Sequence, residues 1–227
     1  MRGIMAAVFA AASIAGCAGT GQLSADTEAT DFSLDPVAFR TGGIGFLTPI
    51  SATGHEASRT ALALAFASSL SDACDDLRIV SLAEVLSAVN SAGLSAAYKS
   101  MIEDYAATGI MEKERLQQVG AASDARYLGL LELADFDQAV NKRFSIGGLR
   151  LLDTKLASIR VSWQIWDSVS GTIAWEGSDE IYYAYDTGRE RPVSFGFVAG
   201  QAATNLIAQI PLNDPAPEQA AAATIAR

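Results

Sequence analysis

The chain has 227 residues and carries 16 Lys and Arg against 26 Asp and Glu, a formal charge of −10. Half of its residues are hydrophobic, which suits a folded core and not a disordered chain. The negative balance repels polyphosphate, and the nearest basic group, Lys142 and Arg143 followed by Arg150, reads as a solvated loop, so no nucleic-acid partner is expected.

The chain opens with Arg2 and a short apolar run from Ile4 to Ala15 that holds no acidic residue. Gly16 and Cys17 follow, and the composition then turns polar in GTGQLSADTEATD. Residues 1 to 16 therefore have the layout of a secretory signal peptide. Ile14-Ala15-Gly16-Cys17 resembles the lipobox of bacterial lipoproteins. The resemblance implies that the thiol of Cys17 receives diacylglycerol, that a peptidase cuts before it, and that the new amino group is acylated, for instance with palmitate. One acyl chain holds a protein marginally and two or three hold it durably, since each buried CH2 contributes about 0.8 kcal/mol. Ala18 stands where an inner-membrane retention signal has Asp, so the same resemblance implies the periplasmic face of the outer membrane. The bilayer, through acylated Cys17, is the first expected partner.

Residues 17 to 35 lack a periodic apolar pattern and read as a lipidated tether. Residues 36 to 211 are read as one periplasmic domain, and residues 212 to 227 as a flexible tail punctuated by Pro215 and Pro217. Beyond residue 20 no apolar run reaches the roughly 20 residues of a membrane-spanning helix, so this body is expected to be soluble. Cys74 is the other cysteine; with Cys17 acylated no internal disulfide is available, and Cys74 reads as a half-buried small hydrophobe at a helix end.

Within the domain, GIGFLTPI at 43 to 50 predicts a first strand. A helix follows with Ala57, Ala61, Leu64, Ala65 and Leu70 on its buried stripe. LRIV at 77 to 80 predicts a short strand, and Ser81 with Glu84 forms a capping box ahead of Leu82, Val85, Leu86 and Val89. Two further helices are predicted, at 95 to 107 with Tyr98, Met101, Ile102 and Tyr105, and at 111 to 122 with Leu116 and Val119. YLGLLELA predicts a central strand. In the hairpin that follows, Ile159, Val161, Trp163 and Ile165 alternate with Arg160, Ser162 and Gln164, and Ile173 and Trp175 repeat the pattern after a DSVSG turn. A last helix carries Phe195, Val198, Ala202, Leu206 and Ile207 before Pro211. The fold class is thus α/β, of α+β character: a two-layer mixed sheet with helices on one face and a C-terminal antiparallel hairpin followed by a helix.

The hairpin SWQIWDSVSGTIAWEG and the closing helix AATNLIAQIP resemble the periplasmic domain shared by curli-secretion-type lipoproteins and the amino-terminal domain of the Tol propeller protein, over roughly residues 40 to 211. Pore-forming members of that group thread long amphipathic hairpins through the outer membrane. Here DFDQAVNKRFSIGGLRLLDT, beginning at Asp135, reads as too short and irregular for such strands, so no pore is expected.

No catalytic, metal-ligating or cofactor-binding constellation is recognised, and no cofactor is expected. His55 in TGHEAS is read as a turn or cap residue, and TGGIGF at 41 to 46 lacks the spacing of a phosphate loop. Trp166 falls opposite the apolar face of the hairpin, where an exposed indole would anchor a partner. The functional expectation is a non-enzymatic, outer-membrane-anchored lipoprotein that binds or assembles with envelope proteins or with a second copy of itself. The alternative is an envelope-polymer hydrolase using paired carboxylates from a set that includes Asp72, Asp75, Asp76, Glu103 and Asp104.

Overall fold

The structure, a computed structural model, describes residues 22 to 146, 149 to 187 and 193 to 212. The signal stretch, Cys17 and the tail beyond residue 212 lie outside the described residues. The strands are β1 (Gln22–Asp31), β2 (Ile44–Phe46), β3 (Ile50–Ser51), β4 (Ile79–Val80), β5 (Tyr127–Ile146), β6 (Leu149–Asp167) and β7 (Thr172–Thr187). The helices are α1 (Pro36–Gly42), α2 (Arg59–Ala73), α3 (Leu82–Ser91), α4 (Ser95–Thr108), α5 (Lys113–Ser123) and α6 (Phe195–Ile207). The sheet runs β1-β7-β6-β5-β2-β4, with β3 also on β5. Its β1, β7, β6 and β5 ladders are antiparallel, and β2, β3 and β4 add parallel pairs.

Local chemistry sets the helix boundaries. The Asp35 carboxylate accepts from the N–H groups of Val37 and Ala38, with Pro36 at the first helical position. Ser81 and Glu84 form the capping box expected of them. Gly109, at φ 73°, closes α4 in the left-handed region that glycine enters at least cost.

Over the antiparallel strands the layout is the expected two-layer one. Ile159, Val161, Trp163 and Ile165 of β6 and Trp175 and Ile181 of β7 are all buried with α1, α2 and α6 in one core. A bulge at Ala134 carries Phe136 to the same face as Leu133, where its ring meets Phe195 at 4.9 Å. A second core lies on the other side of β5, where α3, α4 and α5 bury Leu128 and Leu130 against Val85, Met101, Leu116 and Val119. Beside that helical group, no element among the described residues covers the other face of β1, β7 and β6, where Tyr182 is 56% exposed.

Gly177 sets the distance between β7 and α6. A Cβ there would lie 2.7 Å from Trp175, 2.9 Å from Leu206 and 3.1 Å from the Glu28 carbonyl oxygen. Gly177→Ala is therefore expected to cost about 1–3 kcal/mol through overpacking. Urea unfolding should show a lower midpoint at unchanged slope.

Three stretches differ from the sequence expectation. Residues 22 to 31, expected within the tether, form β1, paired over its whole length with β7. Its apolar positions are few, Leu23 among them exposed and the others alanines, so the backbone ladder holds it and hydrophobic periodicity gives little sign of it. In α2 the buried side chains are Leu62, Ala63, Phe66 and Leu70, while Leu64 is 68% exposed. ALALAFA is apolar all round, and the larger Phe66 decides which face turns inward. Finally, β5 and β6 continue as a paired hairpin to Ile146 and Leu149, through the stretch expected to be irregular. Register shifts near Lys142 and Phe144 break the strict alternation that the sequence criterion required.

Candidate interaction surface

The uncovered face is built in rows across the strands. Asp26, Glu180, Arg160 and Asp135 lie in one register row, and Glu28, Ser178, Ser162 and Glu132 in another. A third row holds Ser24, Tyr182, Ser158 and Asp137. The strands' alternation places these polar side chains outward because their neighbours fill the core. Arg160 donates to Glu180 at 2.7 Å, and the Tyr182 hydroxyl donates to the same carboxylate. Those hydrogen bonds, Arg160's first, hold the Glu180 carboxyl below its ordinary range. In these three rows the face is thus mainly acidic, with one arginine, Arg160, among them.

Two hollows interrupt this face. One, of about 370 Å³, is bounded by Gln22, Ser24, Asp137, Leu156 and Tyr182. The other, of about 260 Å³, lies among Glu28, Thr30, Ser162, Gln164 and Glu176. Among the described residues no strand pairs with the outer edge of β1, where Asp26 and Glu28 supply the charge that discourages indiscriminate strand addition.

Trp166 does not belong to this surface. It is 6% exposed and part of the second core, its ring edge-on to Tyr105 at 6.3 Å. Its indole N–H donates to Gln164 at 3.2 Å, and the Tyr105 hydroxyl donates to the same oxygen at 2.8 Å. The period-two reading puts Trp166 on the correct face, but α3 to α5 cover that end of it. Tyr182 is the aromatic the sequence reading undervalued: in the same alternation it faces outward one residue after the buried Ile181.

Beneath the sheet, the buried Asp179 carboxylate accepts from Thr27 Oγ1 at 2.7 Å and Asn205 Nδ2 at 3.0 Å, joining β1, β7 and α6. Burial pushes this carboxyl up from its ordinary range, and the two hydrogen bonds oppose but do not reverse the shift.

A separate cleft of about 430 Å³ lies between α5 and the β6–β7 turn and includes Arg78 and Arg126. Each arginine has its own carboxylate, Asp124 at 2.7 Å and Asp167 at 2.9 Å. Burial disfavours the Asp167 charge, but the Arg126 hydrogen bond and the Val169 N–H outweigh it and hold that carboxyl below the usual range. Asp167 also fixes the DSVSG turn, its carbonyl accepting from Gly171 N–H at 2.8 Å with Gly171 at φ 76°.

The remaining sequence candidates are dispersed. His55 precedes a single 3-10 turn at Glu56–Ser58, with Nε2 3.8 Å from Asp135. Gly42 and Gly43 end α1, and Gly45 lies in β2 against Val85. Asp72, Asp75, Asp76, Glu103 and Asp104 are exposed, and Asp76, Glu103 and Asp104 sit in surface ion pairs with Arg40, Lys99 and Arg115. The two groups belong to opposite sides of the sheet, α2 and its C-terminal end on one and α4 on the other, so they do not face each other across a cleft. Among the described residues no group of three or more His, Cys, Asp or Glu is arranged to hold a metal. Cys74 ends α2, half-buried, and burial together with Asp76 pushes its thiol up, away from thiolate reactivity.

The sequence matches no protein-family model and no curated protein. Among solved structures the chain is similar to the PelC dodecamer from Paraburkholderia phytofirmans, at 11% identity and a TM-score of 0.44, covering 83% of this chain and 96% of that one. It is also similar to lipoprotein GNA1162 from Neisseria meningitidis, at 13% identity and a TM-score of 0.36, covering 76% of this chain and 99% of that one. Neither activity nor partner transfers at this level of likeness.

Proposed function

We propose that the chain is a lipoprotein held by acylated Cys17 at the periplasmic face of the outer membrane, and that its domain works by binding rather than by catalysis. The partners are envelope proteins or further copies of the chain, taken on the uncovered face and free edge of β1, β7 and β6. The observation that carries this reading is the placement of the lipobox directly ahead of an integral strand of the sheet. The anchor and the uncovered face thereby meet in β1.

Intact mass measurement of membrane-extracted protein tests the anchor. Wild type is expected to carry an acyl increment on a chain beginning at Cys17, and Cys17→Ala to lack it and leave the membrane fraction. Equal masses would remove the anchor. A photocrosslinking side chain at Ser178, on the uncovered face, is expected to capture an envelope protein or a second copy. Monomer alone from intact cells would count against binding there.

A further inference from the structure

The last register row that includes β1 is Gln22, Ala184, Leu156 and Ala139. Beyond it the other three strands continue without β1: β7 to Thr187, β6 back to Leu149 and β5 to Ile146. From Leu156 to Leu149 this arm extends β6 by seven residue steps, about 23 Å at about 3.3 Å each. Gln22, the first residue of β1, therefore stands at the base of the arm.

From Cys17 to Gln22 there are five Cα steps, which span at most about 18 Å in any conformation. That leash is shorter than the arm. It is also shorter than β1, whose nine steps from Gln22 to Asp31 cover about 30 Å. With the arm pointing away from the bilayer, the far end of β1 would hold Gln22 beyond the reach of the leash. Lying on its uncovered face, the domain would press Asp26, Glu28, Glu176 and Glu180 against an anionic surface. Pointing the arm at the membrane keeps Gln22 within reach of the leash, and an arm longer than the leash then reaches the headgroup layer.

We infer that the end of the β5–β6 arm docks on the anionic lipid surface that holds Cys17. The inference rests on the reading that Cys17 is acylated. The residues placed at this end are of the types that such a surface takes: Lys142, Arg143 and Arg150 are cationic in a chain of net charge −10, and Phe144, Ile146 and Leu149 are apolar. A membrane-crossing strand needs about 9–11 residues. The arm, at seven steps, rests in the interface and does not cross it.

The test uses the full acylated chain in vesicles of phosphatidylethanolamine and phosphatidylglycerol with brominated acyl chains, which quench tryptophan at shallow depth. The native Trp163, Trp166 and Trp175 are buried and give a constant background. Phe144→Trp adds a reporter to the arm, and Val169→Trp adds one to the exposed β6–β7 turn at the opposite end of β6. Phe144→Trp is expected to lose about half or more of its added emission, a depth of about 5–10 Å being within quenching range. Val169→Trp is expected to keep its emission. The triple change Lys142→Glu, Arg143→Glu and Arg150→Glu in the Phe144→Trp chain should relieve the quenching without releasing the chain from floated vesicles. If wild type fails to float, the anchor and this inference fall together. If it floats and Phe144→Trp is quenched no more than Val169→Trp, the inference alone is overturned. A concentration-dependent blue shift of Phe144→Trp without vesicles, and no quenching with them, would assign the arm to a second copy and overturn it as well.

Discussion

Trp163→Ala is expected to lower the unfolding free energy by about 3–5 kcal/mol, the range for removing a buried aromatic from a packed core. Trp163 is fully buried and central to the aromatic group beneath the sheet. It stacks on Phe46 at 6.0 Å and meets Phe66 edge-on at 5.4 Å and Trp175 at 5.6 Å. Its partner on β5 is Leu131, and at the diagonal Gly129 a Cβ would lie 2.9 Å from Trp163 Nε1. The ring thus occupies space vacated by a missing side chain, shared with Ile44, whose Cδ1 would lie 3.2 Å from the same Cβ. Among the described residues the buried indole N–H has no hydrogen-bond partner, which offsets part of the packing gain. Trp163→Phe should accordingly lose much less than Trp163→Ala, since it removes that unpaired donor while keeping an aromatic ring. Urea unfolding of the three proteins, compared at a common slope, checks the order. Equal losses in both variants would mean that the indole's outer ring, not its bulk near Gly129, holds the core.

Asp179 is expected to give the fold a pH dependence of unusual sign. Its folded carboxyl binds a proton more tightly than in the unfolded chain, because burial disfavours the charge. The stability this contributes is fully present below the unfolded carboxylate range and is lost as pH rises through the raised folded value. Asp167 acts oppositely: its lowered carboxyl contributes stability above the unfolded value, lost as pH falls through the folded one. Asp179→Asn keeps an oxygen for Thr27 and removes the buried charge, with Asn205 turning its amide to accept. The variant should be more stable than wild type at neutral pH and should lose the rise in stability on mild acidification. Asp179→Ala instead leaves the Thr27 hydroxyl and the Asn205 amide unpaired, at about 1–3 kcal/mol. Thermal melts from about pH 4 to 7 across the carboxylate range separate the three. A parallel pH slope in wild type and Asp179→Asn would show that the carboxyl is not perturbed by folding.

The parts of the fold legible in the sequence are those where one side chain type answers to one local constraint. The alternation of Ile159, Val161, Trp163 and Ile165 gives a strand with a single dry face, and these residues do line the main core. Ser81 and Glu84 announce α3 because their hydrogen bonds are made within three residues of each other. Legibility fails where partners are distant. Whether the face bearing Trp166 is open depends on α3 to α5, which pack across β5 and have no sequence proximity to the β6–β7 turn. β1 is stabilised by a backbone ladder and by Thr27 meeting Asp179, a contact separated by 152 positions. The uncovered face was equally hidden, since outward polar residues on a strand look the same whether solvent or a partner lies beyond them. Asp179 is the exception on the dry face, and its place under α6 is set by Asn205.

The ladder between β1 and β7 also has a mechanical meaning. For a chain tethered ahead of Gln22, any drag on the domain is transmitted through β1, and with the arm toward the bilayer the pull runs along the strand. The hydrogen bonds of an antiparallel pair stand perpendicular to that direction. From Gln22 opposite Ala184 to Asp31 opposite Trp175 they are therefore loaded together in shear, instead of parting one after another from an end. Under such a load tension would be shared along the whole length of β1, with the Thr27–Asp179 hydrogen bond near its middle resisting slip.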